Sequence, residues 1–445
     1  MSTLYTQTID QCFEKQIGAG GLSESRYAAE FERAREAALR LKAISEKNEL
    51  RLLNLPSERD DLEAMKPIAE HLLNNTTDLF VLGIGGSSLG AQALAQIGGW
   101  GTQAFQAPTL GNGIATRFHF LENPDAMTMN MAMGNMDLKT TRFLVISKSG
   151  GTAEPLLQMM IAIDALEKAG AGKYLKHHFG VVTEPPKDGV SNTLRSIAES
   201  YDFPIIEHDP GVGGRYSVFS NVGLLPAYMM GLDPVAIREG AAEVLNEMFE
   251  TSNSAPIEGT ALGLGLVHDH NCSVTVLFNY SDRLEKLGLW YRQLWAESLG
   301  KKGQGTLPVV SLGPTDQHSQ LQLYLSGPKD KFYTMITTDT AGAGPAAPAS
   351  LAKKAGLDYL SGRTIGDLVD AEQRATYNTL AANACPTRQL RLKCIDEASM
   401  GALMMHFMLE TILTADLMKI NPYNQPAVEE GKILARQYLH DMDAK

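Results

Sequence analysis

The stretch of the chain with the densest set of groups for binding an anion is Ser147-Lys148-Ser149-Gly150-Gly151-Thr152. It follows the apolar run 143–146 and precedes a helical pattern that opens at Ala153. The unpaired N–H groups and the dipole of a helix start favour an anion. Lys148 and three hydroxyl groups add a charge and hydrogen bonds. The pattern therefore predicts a phosphate site, and an ordinary capping turn is the alternative.

A second glycine-rich turn, Gly83–Gly90, follows the apolar run 78–82. It does not match a dinucleotide-binding fingerprint, because the third glycine position holds Ser88 and no acidic residue follows at about 20 residues. It does not match a Walker A loop either, because no Gly-Lys-Ser or Gly-Lys-Thr ends it. The turn is better interpreted as a cradle for a sugar or sugar phosphate, with Gly86 and Ser87 in contact.

Two charged residues could move or stabilise charge. Glu297 lies one helical turn after Gln293, beside Trp290 and Leu294, and a carboxylate in such a setting suits proton transfer. The alternative is a glutamate at the edge of an amphipathic helix.

Arg215 follows three glycines within four positions. This spacing indicates a guanidinium held in a fixed position, which could stabilise a developing enediolate oxygen. A surface ion pair is its alternative.

Two further residues lie where a helix is predicted to start, and a third lies about two turns into the last helix. His318 follows the end of a predicted strand, which suits a site, although most single histidines are structural or exposed. Gln425 precedes Pro426, so the pattern predicts that Gln425 caps the last helix. Lys432 lies seven residues on and would share a face with Gln425, or it would pair with Glu429. No cluster has metal-ligand spacing.

Composition narrows the class of protein. The chain has 445 residues and a formal net charge of −12, which argues against non-specific binding to nucleic acid or anionic membranes. Its four cysteines are scattered, so we expect neither disulfides nor zinc, and a cytoplasmic location is the default. The first sixteen residues do not resemble a secretory signal. The apolar segment 400–418 contains ionisable residues and predicts a buried core helix.

The elements that position these residues alternate between strand and helix, which predicts an α/β fold with mainly parallel sheets. Ligands of such sheets bind at the carboxyl ends of the strands, where both glycine-rich turns lie. We predict an N-terminal helical arm over 1–50, packed on a first domain over 51–232, then a second domain over 233–420 and a C-terminal active-site helix over 421–445.

Together these motifs resemble the glucose-6-phosphate isomerase (phosphoglucose isomerase) family. Six segments fall in the family's order: Gly83–Gly90, Ser147–Thr152, Val212–Ser217 with its continuation to Pro226, Gln293–Gly300 with Lys301, Gln317-His318, and Asn421–Gln425 leading to Lys432. Two departures are modest. Ser149 stands where many relatives have threonine, and Pro426-Ala427 replaces the more usual Gly-Val.

The resemblance implies two SIS-type (sugar isomerase) α/β/α sandwiches, a homodimer, a hexose 6-phosphate substrate and no cofactor or metal. The implied reaction interconverts glucose 6-phosphate and fructose 6-phosphate. Glu297 would move the proton, His318 (from the partner subunit) and Lys432 would assist ring opening, and Arg215 would steady the enediolate. The implied substrate-binding residues are Gly86, Ser87, Ser147, Lys148, Ser149, Thr152, Glu154, Gln293 and Gln425.

Two other functions stay open on the sequence. One is an isomerase of broader epimer specificity that also accepts mannose 6-phosphate. The other is a non-catalytic sugar-phosphate sensor built on the same type of sandwich. A sensor would not need Glu297, His318, Arg215 and Lys432 together, and the N-terminal arm shows no helix-turn-helix pattern.

Overall fold

A computed structural model describes residues 4–102, 115–134, 137–251 and 253–443. Its strands in chain order are β1 Tyr5–Thr8, β2 Asp78–Leu82, β3 Arg117–Leu121, β4 Thr141–Ile146, β5 Phe179–Thr183, β6 Ile205–Glu207, β7 Val274–Asn279, β8 Leu307–Leu312, β9 Lys331–Thr338 and β10 Thr387–Leu392.

The helices are α1 Glu14–Ile17, α2 Glu24–Glu46, α3 Asp60–Leu73, α4 Leu89–Ile97, α5 Ala126–Gly134, α6 Ala153–Lys168, α7 Thr193–Ser200, α8 Asn221–Met229, α9 Pro234–Glu250, α10 Ala255–His270, α11 Glu285–Leu299, α12 Leu321–Ser326, α13 Ala349–Lys354, α14 Ile365–Ala382, α15 Glu397–Leu417 and α16 Glu429–Asp443.

The first sheet has the order β3-β2-β4-β5-β6 and is parallel throughout. Successive side chains of a strand point to opposite faces, and both faces of β2 are buried. Leu79 and Val81 belong to one apolar cluster, whereas Phe80 and Leu82 belong to another. Helices therefore cover both faces, which explains the continuous apolar run. The predicted α/β class with mainly parallel sheets is confirmed.

The second sheet has the order β1-β10-β9-β7-β8. It is parallel except for β1, which pairs antiparallel with β10 from Tyr5 opposite Leu392 to Thr8 opposite Gln389. The sequence analysis predicted neither β1 nor β10. The first fifty residues are thus not wholly helical, because they contain an edge strand of the second sheet.

The packing predicted for the N-terminal helix is wrong. Helix α2 packs on α10 and α15, which belong to the second half of the chain. Ion pairs from Arg26 to Asp269 at 2.8 Å and from Arg40 to Asp416 at 2.5 Å reinforce this contact. The apolar stripe of α2 fixes which face is buried, but a stripe of small residues does not specify the surface it meets.

One apolar cluster continues through both halves and includes Leu94 of α4, Leu294 of α11 and Leu409 of α15. Helix α15 is long and apolar enough to cross a membrane, but its residues 399–415 are all buried inside the protein. This agrees with the core helix predicted there. The chosen domain boundary falls between α8 and α9, and the division into domains stays a prediction.

Candidate active site

The carboxylate predicted to move a proton lies on α11. Gln293 and Glu297 are four residues apart, so they share a face, and Gln293 Nε2 donates to Glu297 Oε2 at 3.1 Å. Other faces of α11 pack into the protein and bury Trp290, Leu294 and Trp295. Gln293 and Glu297 therefore face a cleft. The Glu297 side chain is 25% exposed.

Arg215 meets Glu297 from the other half of the chain, with its Nη1 at 3.1 Å from Glu297 Oε1. The guanidinium is 5% exposed. It donates through Nε to Ser298 Oγ at 2.9 Å, through Nη1 to Gln425 Oε1 at 3.2 Å, and through Nη2 to the carbonyl oxygens of Pro422 and Asn424 at 2.7 and 2.9 Å. Arg215 therefore joins three segments that are distant in sequence.

The first glycine-rich turn lies against the same arginine loop. A Cβ on Gly86 would come within 2.3 Å of the Gly214 carbonyl carbon, so only glycine allows this close approach. Ser217 Oγ also donates to the Gly86 carbonyl at 3.2 Å. The neighbouring Gly85 approaches the amide of Gln293. Gly86 and the partly buried Ser87 thus lie near the Arg215–Glu297 pair.

A cleft of about 830 Å³ opens beside these residues. Its wall includes Gln293, Glu297, Lys301 and Gln425. Gln293 Oε1 is buried and has no hydrogen-bond partner among the described residues. A buried acceptor without a partner is costly, so this oxygen is suited to accept a hydrogen bond from a ligand hydroxyl.

Lys301 stands at the end of α11 and was not among the predicted site residues. Its Nζ donates to the carbonyl oxygens of Glu297 and Ser298 at 3.0 and 2.8 Å. Burial, together with repulsion from Arg215, lowers the pKa of Lys301 to about 8, although Glu297 opposes the shift. The only sequence signal for Lys301 was its position next to the Gln293–Gly300 motif.

The hydroxyl-rich turn Ser147–Thr152 connects the end of β4 to the first turn of α6. Ser147 is buried, and its Oγ donates to Thr152 Oγ1 at 3.0 Å. Thr152 precedes α6 without using its side chain as a cap. Gly150 has a φ of +65°, and a Cβ there would overlap the Asn192 side chain. Ser149 is exposed, and Glu154 lies in the first turn of α6.

Lys148 connects this turn to the loop that carries Arg215. Its Nζ donates to the carbonyl oxygens of Val212 and Pro210 at 2.9 and 3.1 Å and lies 3.4 Å from Glu184 Oε1. The Ser147–Thr152 turn does not form part of the wall of the 830 Å³ cleft. The link between the two regions runs through the loop 208–214.

The structure also places three further predicted residues. Gln425 occupies the N-cap position before Pro426, as predicted, but its side chain makes no capping bond, because its amide oxygen accepts from Arg215. Lys432 is exposed on α16 and pairs with Glu429 at 2.8 Å, which is the alternative that the sequence left open. His318 is exposed in the 3₁₀ turn Thr315–His318 beyond β8. The catalytic roles of His318 and Lys432 stay predictions.

The sequence profile of the phosphoglucose isomerase family matches residues 69–313. The glucose-6-phosphate isomerase of Rubrobacter xylanophilus is 36% identical over 385 residues, which cover 85% of this chain and 87% of that protein. The chain belongs to the phosphoglucose isomerase family. A second glucose-6-phosphate isomerase, from Thermus thermophilus, is 36% identical over 392 residues that cover 85% of this chain and 88% of that protein.

Two solved structures share the fold of this chain. A hypothetical protein from Thermus thermophilus superposes with a TM-score of 0.81 at 31% identity, covering 98% of this chain and all of that one. A glucose-6-phosphate isomerase from Chlamydia trachomatis superposes with a TM-score of 0.73 at 20% identity, covering 88% of this chain and 78% of that one, and shows the shared fold.

The range matched by the phosphoglucose isomerase profile contains both glycine-rich turns, Arg215 and Glu297, and it ends before His318, Gln425 and Lys432. Among the described residues, no group of three His, Cys, Asp or Glu side chains is arranged to hold a metal ion. The residues that meet around Glu297 are therefore those of the family-matched region, completed by the segment 421–425.

Proposed function

We propose that the protein interconverts D-glucose 6-phosphate and D-fructose 6-phosphate by moving a proton between C1 and C2 of the open-chain sugar. One observation carries this proposal. In a member of the phosphoglucose isomerase family, Arg215 from one half of the chain pairs with Glu297 from the other, beside a cleft that Gln293 also lines. Glu297 and Gln293 line this cleft, and Arg215 pairs with the Glu297 carboxylate from behind the cleft wall.

In the proposed reaction, Glu297 is the general base. Its carboxylate takes the proton from C2 while the C1 carbonyl oxygen gains the electron pair, and a cis-enediolate forms. Glu297 returns the same proton to C1, and the hydroxyl proton on O2 moves to O1 as the C2 carbonyl forms. Gln293 Nε2, at 3.1 Å from Glu297 Oε2, orients the carboxylate. Positioned proton transfer contributes about 10²–10⁴-fold.

Arg215 stabilises the negative charge that develops on the enediolate oxygens. Because its hydrogen bonds to carbonyl oxygens and to Ser298 hold it in place, it needs no rearrangement when that charge appears. Lys301 adds a second cation at the same end of α11. Gly86, Ser87 and Gln425 line the sugar site in this proposal.

The Ser147–Thr152 turn and Lys148 bind the 6-phosphate, with Glu154 close by. Binding at this end is remote from C1 and C2, so it supplies orientation rather than chemistry. The buried Ser147 and the helix start of α6 support this assignment.

We further propose a cytoplasmic homodimer in which His318 reaches the site of the partner subunit and assists ring opening together with Lys432. His318 and Lys432 are both exposed in the single chain, as such an arrangement requires. Helix α16 also exposes Leu434, Tyr438 and Met442, which share one face. The four cysteines are free, which supports a reducing compartment.

A coupled assay tests the reaction. Purified protein is given glucose 6-phosphate without added metal or nucleotide, and the release of fructose 6-phosphate is followed. We expect turnover, and its absence would contradict the proposal in favour of a sensor. The same assay with mannose 6-phosphate separates a strict glucose 6-phosphate isomerase from one of broader epimer specificity.

The variant Glu297→Gln tests the mechanism. We expect kcat to fall by about 10²–10⁴-fold while a competitive sugar-phosphate inhibitor still binds, because the amide keeps the shape but accepts no proton. Glu46→Gln, on an exposed glutamate of α2 outside the cleft, is the control and should retain activity. Turnover of Glu297→Gln close to the unmodified enzyme would refute the assignment.

A further inference from the structure

A second cavity lies behind α11, on the side away from Glu297. It measures about 240 Å³ and is bounded by α10, α11, α15, the starts of β7 and β9, and the loop 303–306. Trp295 and Leu299 of α11 line it together with Phe332 and Met418. Of these side chains, only Met418 is not fully buried. None of the predicted site residues lines this cavity.

The polar groups in the cavity wall already have partners. Trp295 Nε1 donates to Thr306 Oγ1 at 2.9 Å, and Thr306 Oγ1 lies 2.6 Å from Thr275 Oγ1. Glu410 forms an ion pair with Arg388 at 2.9 Å. Burial raises the pKa of the Cys272 thiol to about 12, so this wall is also uncharged. His268, at the edge of the lining, is also paired, with its Nδ1 at 3.0 Å from Glu30 Oε1. The cavity therefore offers a ligand mainly apolar surface, and its ionisable groups are already engaged.

A helix glycine keeps the cavity open. Gly263 lies in the middle of α10, where glycine costs about 1 kcal/mol relative to alanine. A Cβ built on Gly263 meets no atom within 4 Å, and Gly263 is part of the cavity lining. Alanine would fit here and would favour the helix. Gly263 is therefore a position at which added side-chain volume can be used to fill the cavity.

The cavity and the candidate active site are bounded by opposite faces of α11 and by the segment that follows it. Its mouth is formed by the exposed loop Gly303–Gly305. That loop begins directly after Lys301 and Lys302, and Lys301 is bonded to the Glu297 and Ser298 carbonyls. Trp295 and Glu297 are also two residues apart on one rigid helix. A molecule packed against Trp295 would press on the helix that holds the proposed base.

We propose that this cavity binds a small, uncharged, largely apolar molecule of about the size of indole, and that its occupancy changes catalysis at Glu297. The size follows from the volume, since a dry apolar cavity of about 150 Å³ holds benzene. The statement about catalysis rests on the proposed isomerase function, whereas the statement about binding does not.

Calorimetric titration with indole tests the binding, and indole-3-acetate serves as the charged control. We expect indole to bind and to raise Tm by about 1 °C or more at saturation, and the charged analogue not to bind. Gly263→Ala adds one methyl group and should bind indole within about threefold of the unmodified protein. Gly263→Leu fills the space and should weaken binding at least tenfold.

Met418→Phe, which fills the cavity from its rim, replaces Gly263→Leu if that variant does not fold. Failure of indole to bind the unmodified protein, or equal binding by the filled variants, would overturn the proposed site. Isomerase assays with and without saturating indole test the coupling. We expect at least a twofold change in kcat in the unmodified protein and in Gly263→Ala, and none in the filled variant. Binding without any change in kcat would overturn the coupling alone.

Discussion

Arg215 is the residue on which the candidate site depends most. Its guanidinium contacts Glu297, Ser298, Gln425 and two backbone carbonyls. A lysine could not reproduce these contacts, because an ammonium lacks the planar fork of donors. The absence of a side chain on Gly86 allows the loop before Arg215 to lie against the first glycine-rich turn. This one side chain therefore positions both the proposed base and the segment that completes the cleft.

The lowered pKa of Lys301 gives the candidate site a predicted pH dependence. Because that pKa is about 8 rather than 10.5, Lys301 is charged below pH 8 and neutral above it. Loss of this charge beside the enediolate should lower kcat/KM above about pH 8. In the Lys301→Arg variant kcat/KM should not fall above about pH 8, since arginine stays charged. Lys302→Arg is the neighbouring control and should show the same fall as the unmodified protein. An unchanged fall in Lys301→Arg would contradict the role of Lys301 in this pH dependence.

Lys148 should contribute to binding of the sugar phosphate rather than to the proton-transfer step. Lys148→Ala removes the charge next to the hydroxyl-rich turn, so we expect KM for the sugar phosphate to rise about tenfold or more with a smaller change in kcat. Lys168→Ala, at the far end of α6 and paired with Asp164, is the matched control. Steady-state kinetics measure both. An unchanged KM in Lys148→Ala would remove Lys148 from the phosphate site.

The sequence identified the side chains that meet around Glu297, because a glutamate, a glutamine and an arginine beside glycines carry recognisable patterns. It could not identify the carbonyl oxygens of Pro422 and Asn424 as partners of Arg215, since every residue has a carbonyl. It placed Gln425 at the N-cap position of the last helical segment, as the structure does, but it could not show that the amide oxygen accepts from Arg215. Long-range partners of this kind depend on tertiary packing that local spacing does not contain.

At the scale of secondary structure elements, a buried polar network joins β1, β10 and α15. Arg388 on β10 pairs with Glu410 on α15 at 2.9 Å, His406 Nε2 lies 3.0 Å from the same carboxylate, and Tyr5 Oη lies 2.8 Å from His406 Nδ1. Arg388, Glu410 and His406 are almost fully buried. Burial lowers the pKa of His406, which favours the neutral ring. The network fixes the first strand against the core.

Breaking this network should be costly. Arg388→Met leaves Glu410 buried without its cation, so we expect the free energy of unfolding to fall by about 3–5 kcal/mol. Arg391→Met, on the same strand but in an exposed pair with Asp339, should cost at most about 1 kcal/mol. Urea denaturation followed by circular dichroism measures both variants. Equal losses for the two would contradict a special role of the buried pair.

Strands β1 and β10 were not predicted from the sequence, because their residue patterns differ from those of the strands that were. The apolar runs 78–82 and 143–146 lie within two residues of the observed strands β2 and β4. The segment Thr387–Leu392 is instead mostly polar and contains Arg388. Tyr5–Thr8 is too short and polar to stand out. β10 pairs with β9 and carries the buried Arg388–Glu410 ion pair, and β1 pairs with β10.

At the scale of the whole molecule, the exposed apolar face of α16 indicates a surface for the proposed homodimer. Leu434, Tyr438 and Met442 recur at i, i+4 and i+8 and are exposed. Tyr438→Glu should dissociate the proposed homodimer in sedimentation experiments and lower isomerase activity, because His318 would no longer reach a partner. Gln437→Glu adds the same charge on another face and should change neither. A Tyr438→Glu variant that is dimeric and fully active would exclude α16 from the interface.

The pairing of Tyr5 with Leu392 has a consequence for how the chain is made. During synthesis β1 leaves the ribosome long before its partner exists, and it cannot pair with β10 until residues 387–392 have emerged. Closing so long a loop costs only slightly more than closing a shorter one. Until it closes, β10 presents an unprotected edge to other nascent chains. The amino terminus is therefore the piece that completes and shields the sheet last.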